Sequence, residues 1–171
     1  RKAFQERVVE YFIQSYQAGR TPNPCILCNP IIKFGVCLSL AQEMGASHLA
    51  TGHYARIRKD RLANFHLYRG IDLNKDQSYF LARMNQNMLG QALFPLGSYT
   101  KTETQALARQ LGLTPVTPLE SQDVCFIPDT SYADFLARQP SFRSAEGPIV
   151  TVDGDVIGRH QGLHRYTIGQ R

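Results

Sequence analysis

Apolar side chains recur at helical spacing over "KAFQERVVEYFIQSYQ", residues 2 to 17, at Phe4, Val8, Val9, Tyr11, Phe12 and Tyr16, with Gly19 as a stop. An amphipathic helix is predicted there. The next segment, "TPNPCILCNP", has prolines at 22, 24 and 30 and is predicted to be an ordered, extended surface loop that carries Cys25 and Cys28. Helical spacing returns from Ile31 to Met44 at Ile31, Phe34, Leu38 and Ala41, and Gly45 closes the run. "SHLATGHYARI" and "RLANFHLYRG" read as strands, and "NKDQSYFLARM" reads as an entry into a helix. "TKTETQALARQLGL" reads as a helix capped by Thr100 or Thr102 and stopped by Gly112. Helices alternating with short apolar strands predict an α/β fold with a mainly parallel sheet. After Asp129 the pattern changes. A short helix, "SYADFLAR", leads into "PIVTVDGDVIGRHQGLHRYTIG", with glycine turns and alternating apolar residues. Two domains are expected: residues 1–128, and the start of a small β-rich module over 129–171.

The chain has 171 residues, 43% of them hydrophobic and 19% charged, enough to bury a core and unlike a disordered tail. Nineteen Lys and Arg against fourteen Asp and Glu give a net charge of +5, which favours a polyanionic partner without naming one. No apolar run is read as a membrane span and the N-terminus lacks a signal peptide's pattern, so a cytoplasmic protein without membrane contact is expected. The chain starts at Arg1 and stops in "YTIGQR", as a fragment of something longer would. Four cysteines are too few for a secreted disulfide scaffold and direct attention to metal or redox chemistry.

Cys25 and Cys28 form a C-x-x-C pair, which suits half a zinc site, a redox pair, part of an iron–sulfur ligand set, or two incidental cysteines. Cys125 lies in "SQDVCFIP", where Ser121, Gln122 and Asp123 lead into an apolar patch. Cys37 falls one turn after Phe34 and is read as a small buried thiol outside any site. "ATGHYAR" places Gly52 and His53 at the end of a strand, where open α/β sheets collect nucleotides; His53 as a hydrogen-bonded structural histidine is the competing reading. In "NKDQS", Lys75 suits a phosphate and Asp76 and Gln77 suit a base or ribose, against the alternative of a solvated helix start. "ARIRKDR" is either a solvated surface or a phosphate track.

Together, "AGRTPNPCILCNPIIKFG", "ATGHYAR", "RGIDLNKDQSYFLARM", "LFPLGSYTKTETQALARQLGL", "SQDVCFIP" and "VDGDVIGRHQGLHRYTIGQR" resemble, in order, successive blocks of the tRNA-specific 2-thiouridylases. The resemblance implies part of an ATP-pyrophosphatase domain, adenine nucleotide alpha hydrolase-like, followed by the beginning of the small central domain. Neither the family's "SGGVDS" phosphate loop nor its C-terminal β-barrel is read in these residues, so the chain alone is not expected to activate ATP. By resemblance the intact enzyme uses ATP and magnesium to adenylate O2 of the wobble uridine in tRNAs for Lys, Glu and Gln. Sulfur, supplied by a relay protein or hydrosulfide, then replaces that oxygen.

The resemblance further implies Cys28 as the catalytic nucleophile and Cys125 as the carrier of a persulfide. It makes Asn23, Pro24 and Cys25 contacts of the target base, Lys75, Asp76 and Gln77 contacts of the tRNA, and Gly52 a contact of ATP. Two departures stand out. Many members carry Asp where this chain has Cys25, and "STGICF" where it has "SQDVCFIP". Three cysteines at one site would suit a 4Fe-4S cluster held by Cys25, Cys28 and Cys125 with one open iron, the rival of the persulfide scheme. From other classes, the competing readings are a non-catalytic RNA- or metal-binding module with a structural cysteine pair, and a synthetase of the ATP-pyrophosphatase group, which has no use for paired cysteines.

Overall fold

The computed structural model describes residues 1–114, 124–128 and 130–169. Ser121, Gln122 and Asp123, which the sequence places before Cys125, lie outside the described residues. In chain order, the elements are helix α1 over residues 2–17, helix α2 over Cys25–Glu43, strands β1 (Leu49–Ala50), β2 (Ala55–Lys59) and β3 (Phe65–Arg69), and a 3-10 turn at Ser78–Leu81. Helix α3 (Gln86–Gly90), strand β4 (Ala92–Leu93), helix α4 (Lys101–Gln110), helix α5 (Tyr132–Ala137) and strands β5 (Gly147–Val150) and β6 (Val156–His160) follow. Two compact units result, one of Arg1–Pro24 with Ser121–Arg171 and one of Cys25–Glu120.

In the first unit, α1 buries Val9, Phe12, Ile13 and Tyr16 against Ile127, Leu136 and Phe142. The aromatic members pack edge to face, Phe12 on Phe126 at 5.4 Å, while Tyr16 stacks on Tyr132 at 5.2 Å. Burial, helped by Tyr132, pushes the Tyr16 phenol up to about 12. Helix α5 begins at Ser131, whose side chain accepts the Asp134 N–H. Strands β5 and β6 form an antiparallel hairpin, and Gly154 at φ 94° supplies the left-handed turn that "VDGD" predicts.

The second unit corrects the reading of the cysteine segment. The loop ends at Pro24 and both cysteines lie in the first turns of α2. Pro30 falls in the second turn of α2, inside a widened turn over Asn29–Cys37 that departs from the regular i−4 bonding a proline cannot complete. Gly35 accommodates that widening, since a Cβ there would stand 2.9 Å from the Pro30 carbonyl oxygen. The wide turn advances less per residue and carries Cys37 off the apolar face: its thiol is exposed, not buried as expected. Among the described residues α2 is also the one helix long and apolar enough to cross a membrane, contrary to the expectation of no such run; its Phe34 and Leu38 are buried in the protein.

The core of this unit joins Phe34, Ala55, Leu81, Met84, Leu89 and Ala92. Strands β1 and β4 pair in parallel, Leu49 with Ala92 and Ala50 with Leu93, and β2 and β3 form an antiparallel hairpin from Ala55↔Arg69 to Lys59↔Phe65. The single strand expected over "SHLATGHYARI" is thus two strands broken at Thr51–Tyr54. Helix α4 has the predicted cap at Thr100, which accepts the Glu103 N–H while the Glu103 carboxylate accepts the Thr100 N–H.

Candidate active site

Cys25 and Cys28 are three residues apart on a helix, so they share a face, and both are half-buried. The positive end of a helix axis favours negative charge, which suits a thiolate in this first turn. That turn packs against Ser78–Leu81. Asn29, only 1% exposed, donates from Nδ2 to the Phe80 carbonyl at 3.0 Å, while its Oδ1 is buried with no partner among the described residues. The phenol of Tyr79 on the same segment is raised by burial and then by Cys25 and Asp76. The residues next to Cys28 in sequence and those next to Gln77 are therefore fastened together.

The segment "NKDQS" is held by its own side chains. Asp76 Oδ1 accepts the backbone N–H groups of Gly70 and Ser78, and Oδ2 accepts the Ser78 hydroxyl at 2.9 Å. Burial pushes the Asp76 carboxyl up, but these donors outweigh it and hold the group below its usual range. Gln77 is clamped on both sides of Tyr54, its N–H donating to the Tyr54 carbonyl and its Oε1 accepting the Tyr54 N–H. Lys75 is half-buried. Two of the three residues expected to touch RNA thus also shape the backbone that presents the third.

Gly52 is exposed just past β1, and among the described residues a Cβ there would meet only Leu96 Cδ1 at 3.7 Å, leaving room for a ligand at the carboxyl end of the parallel pair. His53, 8% exposed, lies between Thr51 Oγ1, 2.7 Å from Nδ1, and Lys33 Nζ, 3.4 Å from Nε2. The Lys33 ammonium can only donate, which places the imidazole proton on Nδ1 and directs it to Thr51. Burial, reinforced by Lys33, lowers the His53 pKa from 6.5 to about 4. The unfolded chain then takes up the proton first as pH falls, so this group's stability is complete above about pH 6.5 and lost down to about 4. Urea midpoints of wild type and His53→Gln at a series of pH values test this. The wild type is expected to lose up to about 3 kcal/mol more than the variant across that interval; parallel pH profiles would contradict it.

In the other unit Cys125 is exposed, Asn23 is half-buried and Pro24 is buried. A cavity of about 260 Å³ in that unit is lined by Tyr16, Pro22, Val124, Ser131 and Tyr132, so the residue before Cys125 and the start of the "PNP" run face one space. Among the described residues no three His, Cys, Asp or Glu side chains gather as metal ligands. Cys25 and Cys28 offer two thiols on one helix face; the cluster would need a third donor beside them.

Residues 1–129 match the family model described as the tRNA methyl transferase HUP domain, and residues 133–171 match its PRC-barrel domain. The chain is 51% identical to the tRNA-specific 2-thiouridylase MnmA of Heliobacterium modesticaldum, over 100% of this chain and 45% of that protein. It is 48% identical to the enzyme of the same name from Desulfosudis oleivorans, over 100% of this chain and 48% of that protein. The chain belongs to the tRNA-specific 2-thiouridylase family. It spans about half the length of these relatives. Its HUP domain is the adenine nucleotide alpha hydrolase-like fold expected from the sequence, joined to the start of the PRC-barrel domain. Asn29 and Lys33 escaped the sequence reading although they stand one and five residues after Cys28; the signal was the "CN" step inside an otherwise apolar helix.

Proposed function

We propose that the complete protein is a tRNA-uridine 2-sulfurtransferase acting in the cytoplasm on the wobble uridine of tRNAs for Lys, Glu and Gln. The observation that supports this reading is the placement of Cys28 in the first turn of α2, fastened through Asn29 to the segment that follows Lys75, Asp76 and Gln77. Family membership supplies the tRNA context.

An amide-like C2–O bond has no usable leaving group, and attack of O2 on the α-phosphorus of ATP converts that oxygen into AMP with release of pyrophosphate. Gly52 would lie against the nucleotide, and magnesium, when bound, would neutralise phosphate charge. The terminal sulfur of a persulfide on Cys125, loaded when the Cys125 thiolate takes the outer sulfur of a relay protein's persulfide and frees the donor's thiol, then attacks C2 and AMP departs. The Cys28 thiolate attacks Cys125 Sγ, which leaves a Cys28–Cys125 disulfide and the sulfur on C2; a dithiol reductant restores both thiols. Asn23, Pro24 and Cys25 would border the base.

Nucleoside mass spectrometry of tRNA incubated with the complete protein, ATP and a sulfur source tests this, with 2-thiouridine expected and its absence overturning the assignment. Cys25→Asp separates the two sulfur schemes. It is expected to retain activity within about threefold, because a residue beside the base is not a sulfur carrier. A dead Cys25→Asp protein whose wild type binds iron anaerobically would establish the three-cysteine cluster instead.

A further inference from the structure

We propose that Arg56 and Arg58, on one face of the β2–β3 hairpin, form a binding site for the phosphodiester backbone of the RNA substrate. Being two apart on a strand, they project to the same side, opposite Tyr68 and His66 on β3. The Arg58 guanidinium lies over the Tyr68 ring at 5.2 Å, which orders an otherwise exposed side chain. Arg56 donates from Nε to the Arg69 carbonyl at 2.8 Å, which fixes its guanidinium while its two terminal amino groups keep their donors for a ligand.

Both arginines line an open pocket of about 270 Å³ with Phe94 and Ser98, and among the described residues no acidic side chain lines it. Neither arginine is within ion-pair distance of a carboxylate among the described residues. The hairpin, residues 55–69, holds five Lys and Arg and one acid, Asp60. That acid is engaged in the turn, accepting the Leu62 and Asn64 N–H groups and pairing with His66 at 2.9 Å. Two ordered guanidinium groups without counter-ions, next to an aromatic ring and a hydroxyl, suit phosphate oxygens with a sugar or base alongside. The surface rests on the reading of RNA as the substrate and adds to it a backbone contact remote in sequence from Lys75–Gln77.

The test is the affinity of the complete protein for an unmodified tRNA transcript across a range of salt, for wild type, Arg58→Gln and Arg56→Gln/Arg58→Gln. Glutamine retains most of each stem and a donor while removing the charge. The double variant is expected to weaken binding about tenfold or more near 0.1 M salt, and to lower the slope of log K against log salt by about 1.5 to 2; Arg58→Gln alone should remove about half of that. The ATP dissociation constant should be unchanged. An unaltered tRNA slope in both variants overturns the proposal, as does weakened ATP binding with an unaltered tRNA slope, which would give the pocket to the nucleotide. Since Arg58 is exposed, the single variant decides the question even if the double variant folds poorly. If wild type forms no 2-thiouridine, the functional reading fails, while the slope comparison still tests the role of the two arginines.

Discussion

Serine at Cys28 or at Cys125 in the complete protein is expected to lower 2-thiouridine formation by about a thousandfold or more, since a hydroxyl neither carries a persulfide nor breaks a disulfide. The two variants should fail differently. Without the Cys125 thiol there is no sulfur to deliver, and the adenylated uridine can only revert or hydrolyse. Without the Cys28 thiol the sulfur is already bonded to C2 but remains joined to Cys125, so a tRNA–protein adduct that a reductant dissolves should accumulate in Cys28→Ser alone. Denaturing gels of the reaction with labelled tRNA, run with and without reductant, distinguish these fates. Cys37→Ser is the matched control: the thiol is exposed on the widened turn of α2 and should be replaceable without loss. Equal activity in all three variants would remove the cysteines from the chemistry.

Gly97→Ala is expected to be the most damaging single methyl addition in the Cys25–Glu120 unit. A Cβ at Gly97 would overlap the Ala55 carbonyl oxygen, and Ala55 is fully buried at the start of β2. The Gly97 carbonyl also accepts the Ile71 N–H at 3.0 Å, so the 97 backbone is held from one side while the new methyl pushes on the other. Relief requires β2 to move, and β2 begins beside Tyr54, whose backbone clamps Gln77. A loss of more than about 3 kcal/mol is expected, from a clash that no rotamer change can avoid. Urea unfolding followed by circular dichroism should show it, with faster amide exchange in β2 and β3. A midpoint equal to wild type would mean that the close approach is not rigid.

How much of this was legible in the sequence depended on whether the signal was local. The cap at Thr100 was, because Thr100 and Glu103 carry both halves of a reciprocal box. The turn at Gly154 was, because only glycine takes that φ without strain. The cysteine segment was not. Three prolines in nine residues argue for a loop, but Pro22 and Pro24 precede the helix and Pro30 occupies one of its early turns, so only two of the three prevent a helix. The same widened turn defeated the reading of Cys37, which assumes regular α-helical periodicity.

The candidate site shows a similar division. The motif positions at Cys25, Cys28 and Lys75–Gln77 were legible, and the structure brings the cysteine turn against the segment that follows Gln77. What a single residue does within that arrangement was not legible. Asp76 and Gln77 read as free recognition groups, yet their side chains already bond Gly70, Ser78 and Tyr54. The sequence favours His53 as a structural histidine over a nucleotide contact, and its burial between Thr51 and Lys33 supplies the hydrogen bonds of the structural role while leaving Gly52 exposed beside it. Those bonds join residues up to twenty apart in sequence, and no periodicity encodes them.

In the proposed reaction, sulfur passes through Cys125 to the tRNA and Cys28 releases it. Mass spectrometry of the Cys125 peptide, taken from the complete protein loaded by a sulfur donor and quenched with an alkylating agent before and after addition of ATP and tRNA, tests it most directly. One extra sulfur atom is expected on Cys125 before the addition, and its replacement by a Cys28–Cys125 disulfide afterwards. An unmodified Cys125 in a preparation that nevertheless thiolates tRNA would contradict it.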